Sequence, residues 1–156
     1  MRTGVGFDAH ALIRGHKLIL GGVEIPFDKG LEGYSDADVL VHAVMDALLG
    51  AAGLKDIGHQ FPTCDPAYKD ISSIILLEQV GCLVASRSLV VKNIDSVLIA
   101  QEPKIQSYIG EMIHNIADAL GIQDEQVMVK ATTTDGLGFT GRGEGMAAYA
   151  VTLLEE

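Results

Sequence analysis

The sequence predicts an α/β fold, a two-layer α-β sandwich with a mixed sheet and helices on one face. Short β-branched runs alternate along the chain with longer apolar segments at helical spacing. No internal repeat, low-complexity tract or Pro/Ser-rich linker interrupts the 156 residues, so 1–156 is expected to form a single domain.

In chain order, strands are expected over Arg2–Phe7, Lys17–Leu20, Ser88–Ala100, Gln126–Ala131 and Gly145–Leu154. The first helix is expected over Asp38–Leu49, with Ser35 as its cap, Asp38 completing a capping box and Gly50 as its stop. Nearly every residue within it is apolar; Asp38, His42 and Asp46 form a single polar stripe at i, i+4 and i+8. A helix this apolar is buried, so the stripe needs partners or a cavity. A second helix falls within Ser72–Ser86, with Gly81 blurring its end. The third, Tyr108–Leu120, carries Ile109, Met112, Ile113, Ile116, Ala117 and Leu120 on one face between Ser107 as cap and Gly121 as stop. His114 shares its polar face with Glu111, Asn115 and Asp118 and reads as solvated.

Lys plus Arg number 11 against 21 Asp plus Glu, a formal charge of −10, which argues against nucleic acid and an anionic membrane surface as partners. With 48% hydrophobic and only 21% charged residues, the chain is more apolar than a small monomer requires, and an oligomer that covers part of its surface is expected. Cys64 and Cys82 cannot make a multi-bridge framework, and no apolar run approaches the roughly 20 residues of a membrane span. The N-terminal residues reach Asp8 and His10 before a signal-like apolar region develops. A reducing, cytoplasmic location is the expectation.

Asp8 and His10 lie two apart at the end of a strand candidate, so their side chains point to one side. With His42 they make two imidazoles and a carboxylate, the pattern of a catalytic zinc site with an open fourth position. The same three residues also suit a turn cap and two hydrogen-bonded core histidines. Asp56–Asp65 is a polar loop that suits ligand contact or a plain turn. Gly136, Gly138 and Gly141 match G-x-G-x-x-G, but Gly143 and Gly145 are expected to continue the loop into a strand where that fingerprint needs a helix, and the dinucleotide reading fails. Preceded by Thr132, Thr133 and Thr134, this stretch suits either a phosphate-cradling loop or a Gly-rich hairpin. Lys104, Lys130 and Arg142 are cations near these loops that suit local phosphate recognition or simple solvation.

Five ordered blocks, Gly6–His10, Ser35–Ala51, Asp56–Pro66, Ile99–Lys104 and Lys130–Gly145, resemble the 2-C-methyl-D-erythritol 2,4-cyclodiphosphate synthase family across essentially the whole chain. The resemblance implies an enzyme of non-mevalonate isoprenoid synthesis that closes a cyclic diphosphate on a cytidine diphosphate-type substrate and releases CMP. It implies a homotrimer with active sites between subunits. Asp8, His10 and His42 then correspond to ligands of one zinc per chain, and Asp135 to the carboxylate that helps hold a second divalent ion, magnesium or manganese. Asp56, Ile57 and Gly58 correspond to a ribose- and diol-contacting loop, with Phe61, Pro62, Thr63, Cys64 and Asp65 as the wall around the methylerythritol part. Ala100, Gln101, Glu102, Pro103, Lys104, Ile105 and Gln106, with Ala131, Thr132, Thr133 and Thr134, correspond to the cytosine and phosphate pocket, where Thr133 steadies the transferring phosphate. Ala9, Tyr34 and Ser35 join the substrate contacts. Asp46 matches a supporting carboxylate near the cytidine site. Phe139 and Arg142 fall near the trimer axis, whose cavity is a candidate site for an isoprenoid diphosphate.

The chain departs from the family pattern twice. Tyr34 stands where the family usually has the His assigned to transition-state stabilisation; a phenol can donate a hydrogen bond to phosphate but offers no imidazolium. Asp135 stands where many members have Glu, one methylene longer. Two rival functions remain on these residues: a zinc phosphohydrolase that uses metal-bound hydroxide, and a non-catalytic isoprenoid-diphosphate sensor built on Arg142.

Overall fold

The computed structural model describes residues 1–156. Strands β1 (Arg2–Arg14), β2 (Leu18–Leu20), β3 (Val23–Ile25) and β4 (Lys29–Leu31) lead into helices α1 (Val39–Ala52), α2 (Ile57–Gln60) and α3 (Ser73–Ser86). Then follow β5 (Val90–Ile99), α4 (Ile109–Leu120), β6 (Val127–Thr132), the helical turn α5 (Gly138–Gly141) and β7 (Gly145–Glu155). Five strands form one sheet in the order β4-β1-β7-β5-β6, while β2 and β3 make a separate hairpin. Only the β5–β6 pair is parallel, so the sheet is mixed. Helix α1 packs on β1 and β7, α4 on β6, and α3 against both helices. The two-layer expectation holds.

β1 explains the tightest part of this packing. Gly4, Gly6, Asp8 and His10 face the helices, and Thr3, Val5, Phe7 and Ala9 face away. A Cβ at Gly4 would lie 2.0 Å from the Ala47 carbonyl oxygen, and one at Gly6 1.9 Å from that of Ala43. Only glycine lets α1 rest on the strand backbone. The opposite face of the sheet carries exposed Val5, Phe7, Met128, Tyr149 and Val151 with no helix over them.

Several boundaries differ from expectation. Helix α1 is capped by Asp38, not Ser35: Asp38 accepts from the Val41 N–H at 3.1 Å, while the Ser35 hydroxyl faces His42. The helix runs through Gly50 to Ala52 and stops at Gly53, which takes the left-handed conformation. Ser107 does not cap α4; it lies in a preceding 3₁₀ turn, Gln106–Tyr108. β1 is twice the expected length because pairing with β7 and then β4 carries it to Arg14, and the short strands β3 and β4 were too brief to leave a periodic signal. The Gly-rich stretch is no hairpin, since β5 separates β6 from β7.

Candidate metal centre and adjoining clefts

Asp8 and His10 project from β1 toward α1, where His42 stands on the buried polar stripe. Asp8 Oδ2 lies 2.8 Å from His10 Nε2 and 3.0 Å from His42 Nδ1, and the two nitrogens are 3.1 Å apart. One donor atom from each residue falls within 4.8 Å of the others. The outer nitrogens are engaged elsewhere. His10 Nδ1 donates to the Glu32 carbonyl at 2.7 Å, and His42 Nε2 lies 2.9 Å from Ser73 Oγ and 3.1 Å from Ser35 Oγ. A carbonyl only accepts, so His10 carries its proton on Nδ1 and, when neutral, turns the Nε2 lone pair inward.

Burial opposes charge on Asp8, but with the rings protonated the hydrogen bonds and attraction from His10 and His42 outweigh it and hold its carboxyl well below the usual carboxylate range. Burial likewise opposes charge on His10, yet the bond and charge of Asp8 raise it above the ordinary imidazole value. Two inward nitrogens and a carboxylate oxygen therefore demand positive charge at one point. That donor set, two imidazoles and a carboxylate with one side open to a pocket, fits a divalent ion of the zinc type.

The pocket over this cluster is lined by Tyr34, Ser35, Ile57, Gly58, Phe61, Thr63 and Tyr68, with Met45 and Leu76 beneath. Asp46, one turn past His42, accepts the Ile57 N–H at 2.8 Å and so anchors the start of α2. Burial raises the Asp46 carboxyl, and the charges of Asp56 and Asp8 add to the rise. Asp46 thus lies beside the Asp8, His10 and His42 cluster, and within one chain it is not among the residues of the second cleft described below. The polar loop from Asp56 contains a helical turn, with Asp56 capping it through the His59 N–H at 2.9 Å. The Tyr34 hydroxyl donates to the Asp65 carbonyl at 3.2 Å, so its single proton ties the exposed Pro62–Asp65 segment to the pocket wall. The Ala9 side chain points to the other face of the sheet, away from the cluster, because adjacent residues of a strand alternate.

The remaining predicted residues lie elsewhere. Ala100, Gln101, Pro103, Lys104, Ile105 and Gln106 share a second cleft with Ala131, Thr132 and Thr133. Glu102 and Arg142 line a third, with Gln101, Leu12, Phe27 and Lys29. Residues Ala9, Ala147, Ile99 and Thr132 form one row across β1-β7-β5-β6. The metal cluster and second cleft therefore sit at one end of the sheet, three strand spacings or roughly 14 Å apart. Asp135 stands outside the metal cluster and accepts from the Thr133 hydroxyl at 3.1 Å. The Thr134 hydroxyl donates to the Leu137 carbonyl at 2.6 Å and serves the loop itself. Phe139 is exposed beside Gly145. Two of the three cations have carboxylate partners: Lys130 meets Asp95 at 2.6 Å, and the Arg142 fork pairs with Glu144 at 2.9 Å. Lys104 is exposed. His114 is exposed as expected, 3.3 Å from Asp124.

Sequence reasoning missed Asp36, Ser73 and Gly33. Asp36 could have been noticed as one of three polar residues just ahead of a buried helix. Ser73 lies at a helix start among isoleucines and gives no signal. Gly33 lets the chain pass the His10 ring: a Cβ there would sit 3.1 Å from His10 Cε1.

The YgbB family model matches residues 1–155. The 2-C-methyl-D-erythritol 2,4-cyclodiphosphate synthase of Desulfatibacillum aliphaticivorans is 59% identical over 155 residues, covering 99% of this chain and all of its own. That of Pelotomaculum thermopropionicum is 60% identical over 156 residues, covering 100% of this chain and 96% of its own. Among solved structures, a 2C-methyl-D-erythritol-2,4-cyclodiphosphate synthase in a CDP-bound form superposes with a TM-score of 0.90 at 32% identity, covering 99% of this chain and 100% of that one. The bifunctional IspDF of Campylobacter jejuni superposes with a TM-score of 0.94 at 43% identity over 98% of this chain, which spans 42% of that longer protein. Full-length identity of this order and a superposable fold establish that the chain belongs to the YgbB family, that of the 2-C-methyl-D-erythritol 2,4-cyclodiphosphate synthases.

Proposed function

We propose that this chain is a metal-dependent, cyclising phosphorus–oxygen lyase. It converts 4-diphosphocytidyl-2-C-methyl-D-erythritol 2-phosphate to 2-C-methyl-D-erythritol 2,4-cyclodiphosphate and CMP, in non-mevalonate isoprenoid precursor synthesis. The observation that carries this reading is the convergence of the Asp8, His10 and His42 donor atoms beneath an open pocket.

An oxygen of the substrate's 2-phosphate forms a bond to the β-phosphorus, and the bond from that phosphorus to the bridging oxygen breaks, so the oxygen leaves with CMP. The nucleophile is already an anion, so no general base is needed and catalysis is positioning and electrostatics. Asp8, His10 and His42 hold one zinc, and Asp135 helps hold magnesium or manganese. Bound there, these ions supply charge neutralisation and Lewis-acid polarisation of phosphoryl oxygens. Tyr34 and Thr133 offer hydroxyl donors to the transferring phosphate, and for Tyr34 this means exchanging its present bond to Asp65. Asp56, Ile57 and Gly58 bind diols, and Phe61–Asp65 wall the methylerythritol part. Residues 100–106 and 131–134 take the cytidine and its phosphates; a cytidine-type ligand is supported by relatives solved with CDP.

The working unit is a homotrimer of single-domain chains in the cytoplasm. Two observations support the trimer: the metal pocket and the nucleotide-type cleft are separate within one chain, and the bare sheet face exposes Val5, Phe7, Met128, Tyr149 and Val151. The second cleft of one subunit then completes the metal pocket of its neighbour. Phe139 and Arg142 line the axial cavity, where an isoprenoid diphosphate would have to compete with Glu144 for the Arg142 fork. No helix is long and apolar enough to cross a membrane.

Incubating the zinc-loaded protein with substrate and weighing the products tests the reading. Cyclic diphosphate plus CMP is the expected result. A linear product would identify a phosphohydrolase, and zinc binding without turnover a binding module; either overturns the proposal.

A further inference from the structure

The sequence of hydrogen bonds behind His42 fixes which of its nitrogens can bind a metal. Ser73, the first residue of α3, is fully buried. Its backbone N–H donates to Asp36 Oδ2 at 2.8 Å, and its hydroxyl donates to Asp36 Oδ1. An ionised carboxylate only accepts, and a serine hydroxyl has one proton. That proton is spent on Asp36, so toward His42 Nε2, 2.9 Å away, Ser73 Oγ can only accept. His42 must then carry its proton on Nε2. In a neutral imidazole this leaves Nδ1 bare, and Nδ1 is the atom 3.0 Å from Asp8 Oδ2 and 3.1 Å from His10 Nε2.

We propose that Ser73, held by Asp36, is a positioning residue of the metal centre: the Asp36–Ser73 relay sets the tautomer and ring orientation of His42 so that its Nδ1 lone pair faces the ion. The inference rests on the metal reading of Asp8, His10 and His42. Ser35 Oγ also lies near His42 Nε2, at 3.1 Å, but it is half-buried at the pocket edge, and beyond His42 it is anchored by a 3.4 Å bond from the Ala37 N–H. Ser73 is the contact with no freedom to reverse. Its carboxylate is pinned in turn, since Asp36 Oδ1 also accepts from the Asp38 N–H at 3.2 Å. His10 obtains the same service from the Glu32 carbonyl, so each histidine has its proton claimed from outside the cluster. Outer partners of this kind orient metal-bound histidines, strengthen their basicity and typically change metal affinity 10–100-fold when removed.

The test uses the full-length protein as wild type, Ser73→Ala and Ser73→Thr. Zinc affinity is read by competition with a chromophoric chelator, and the His42 tautomer by long-range ¹⁵N–¹H NMR on metal-free protein at pH 8. Wild type is expected to bind one zinc per chain and to hold His42 as the Nε2–H form. Ser73→Ala is expected to bind zinc about 10–100-fold more weakly and to populate the Nδ1–H form, with its melting temperature little changed because the backbone N–H at position 73 still donates to Asp36. Ser73→Thr restores the hydroxyl and is expected to recover most of the affinity; should its extra methyl prevent folding, the Ser73→Ala spectrum decides alone. Unchanged zinc affinity and an unchanged tautomer in Ser73→Ala would overturn the relay while leaving the metal reading intact. Failure of wild type to bind zinc would overturn the metal reading itself.

Discussion

Gly6 lies so close beneath Ala43 that a Cβ on it would stand 1.9 Å from the Ala43 carbonyl oxygen. The residue before Ala43 on α1 is His42, so this contact sets the depth at which the imidazole meets Asp8. Gly6→Ala is expected to push α1 off β1, cost about 1–3 kcal/mol or more of stability through overpacking, and weaken zinc binding although no ligand is altered. Thermal unfolding and zinc titration of the same sample check both effects.

His42→Ala removes one of three donors and is expected to abolish zinc retention and CMP release while the fold persists, because this side chain borders an open pocket rather than filling the centre of the core. Elemental analysis, circular dichroism and a CMP assay provide the readouts. Full activity in a metal-free His42→Ala preparation would sink the site assignment.

Asp46 offers a pH-dependent comparison. Its carboxyl titrates above the usual carboxylate value in the folded chain, so the folded state binds that proton more tightly than the unfolded one. Stability from this group is therefore greatest in acid and declines as pH rises from 3.8 through the raised folded value. Asp46→Asn keeps an acceptor for the Ile57 N–H and removes the charge. It is expected to flatten that decline and to gain no more than about 0.5 kcal/mol at neutral pH, since the group is half exposed and screened. Urea midpoints of both proteins from pH 4 to 8 test the sign. Asp46→Ala, which orphans the Ile57 N–H, is expected to raise the substrate KM.

Tyr34→Phe deletes the bond to the Asp65 carbonyl along with the hydroxyl that is proposed to reach phosphate. A single hydrogen bond of this kind contributes about 1–1.5 kcal/mol, so kcat/KM is expected to fall roughly tenfold. Steady-state kinetics with zinc held saturating measure the loss.

Val151 is 50% exposed on the bare sheet face. In the proposed trimer, Val151→Asp buries an unpaired charge at a subunit contact, and sedimentation is expected to shift toward monomer with loss of turnover. A trimer that persists at low micromolar concentration would exclude this face from the assembly.

The fold was legible where periodicity and burial agree. The apolar run from Val39 to Leu49 with its stripe of Asp38, His42 and Asp46 announced both a buried helix and a polar destination for it, and each stripe residue found a partner. Asp8 and His10 were legible because strand alternation alone aims both to one side. The cap was misread because Ser35 and Asp38 are both good cap residues, and only the tertiary bonds from the Gly21 and Gly22 N–H groups to Asp38, at 3.0 and 2.7 Å, settle which one holds the helix. Ser73 was invisible for a similar reason: its role comes from contacts with residues more than thirty positions away.

Residues Ser35–Asp38 fasten different parts of the molecule from neighbouring positions. Ser35 reaches His42, Asp36 holds the first turn of α3, and Asp38 holds both the first turn of α1 and the turn between β2 and β3. Ala37 bends between them with φ at +56°. Any motion of the His42 ring is thus shared with the start of α3, which it touches through Ser73, and with a hairpin that holds no donor of the cluster. Amide hydrogen exchange at Gly21, Gly22 and Ser73 should slow when zinc is added, making these three N–H groups, none of them a donor of the cluster, a built-in gauge of whether the metal centre is filled.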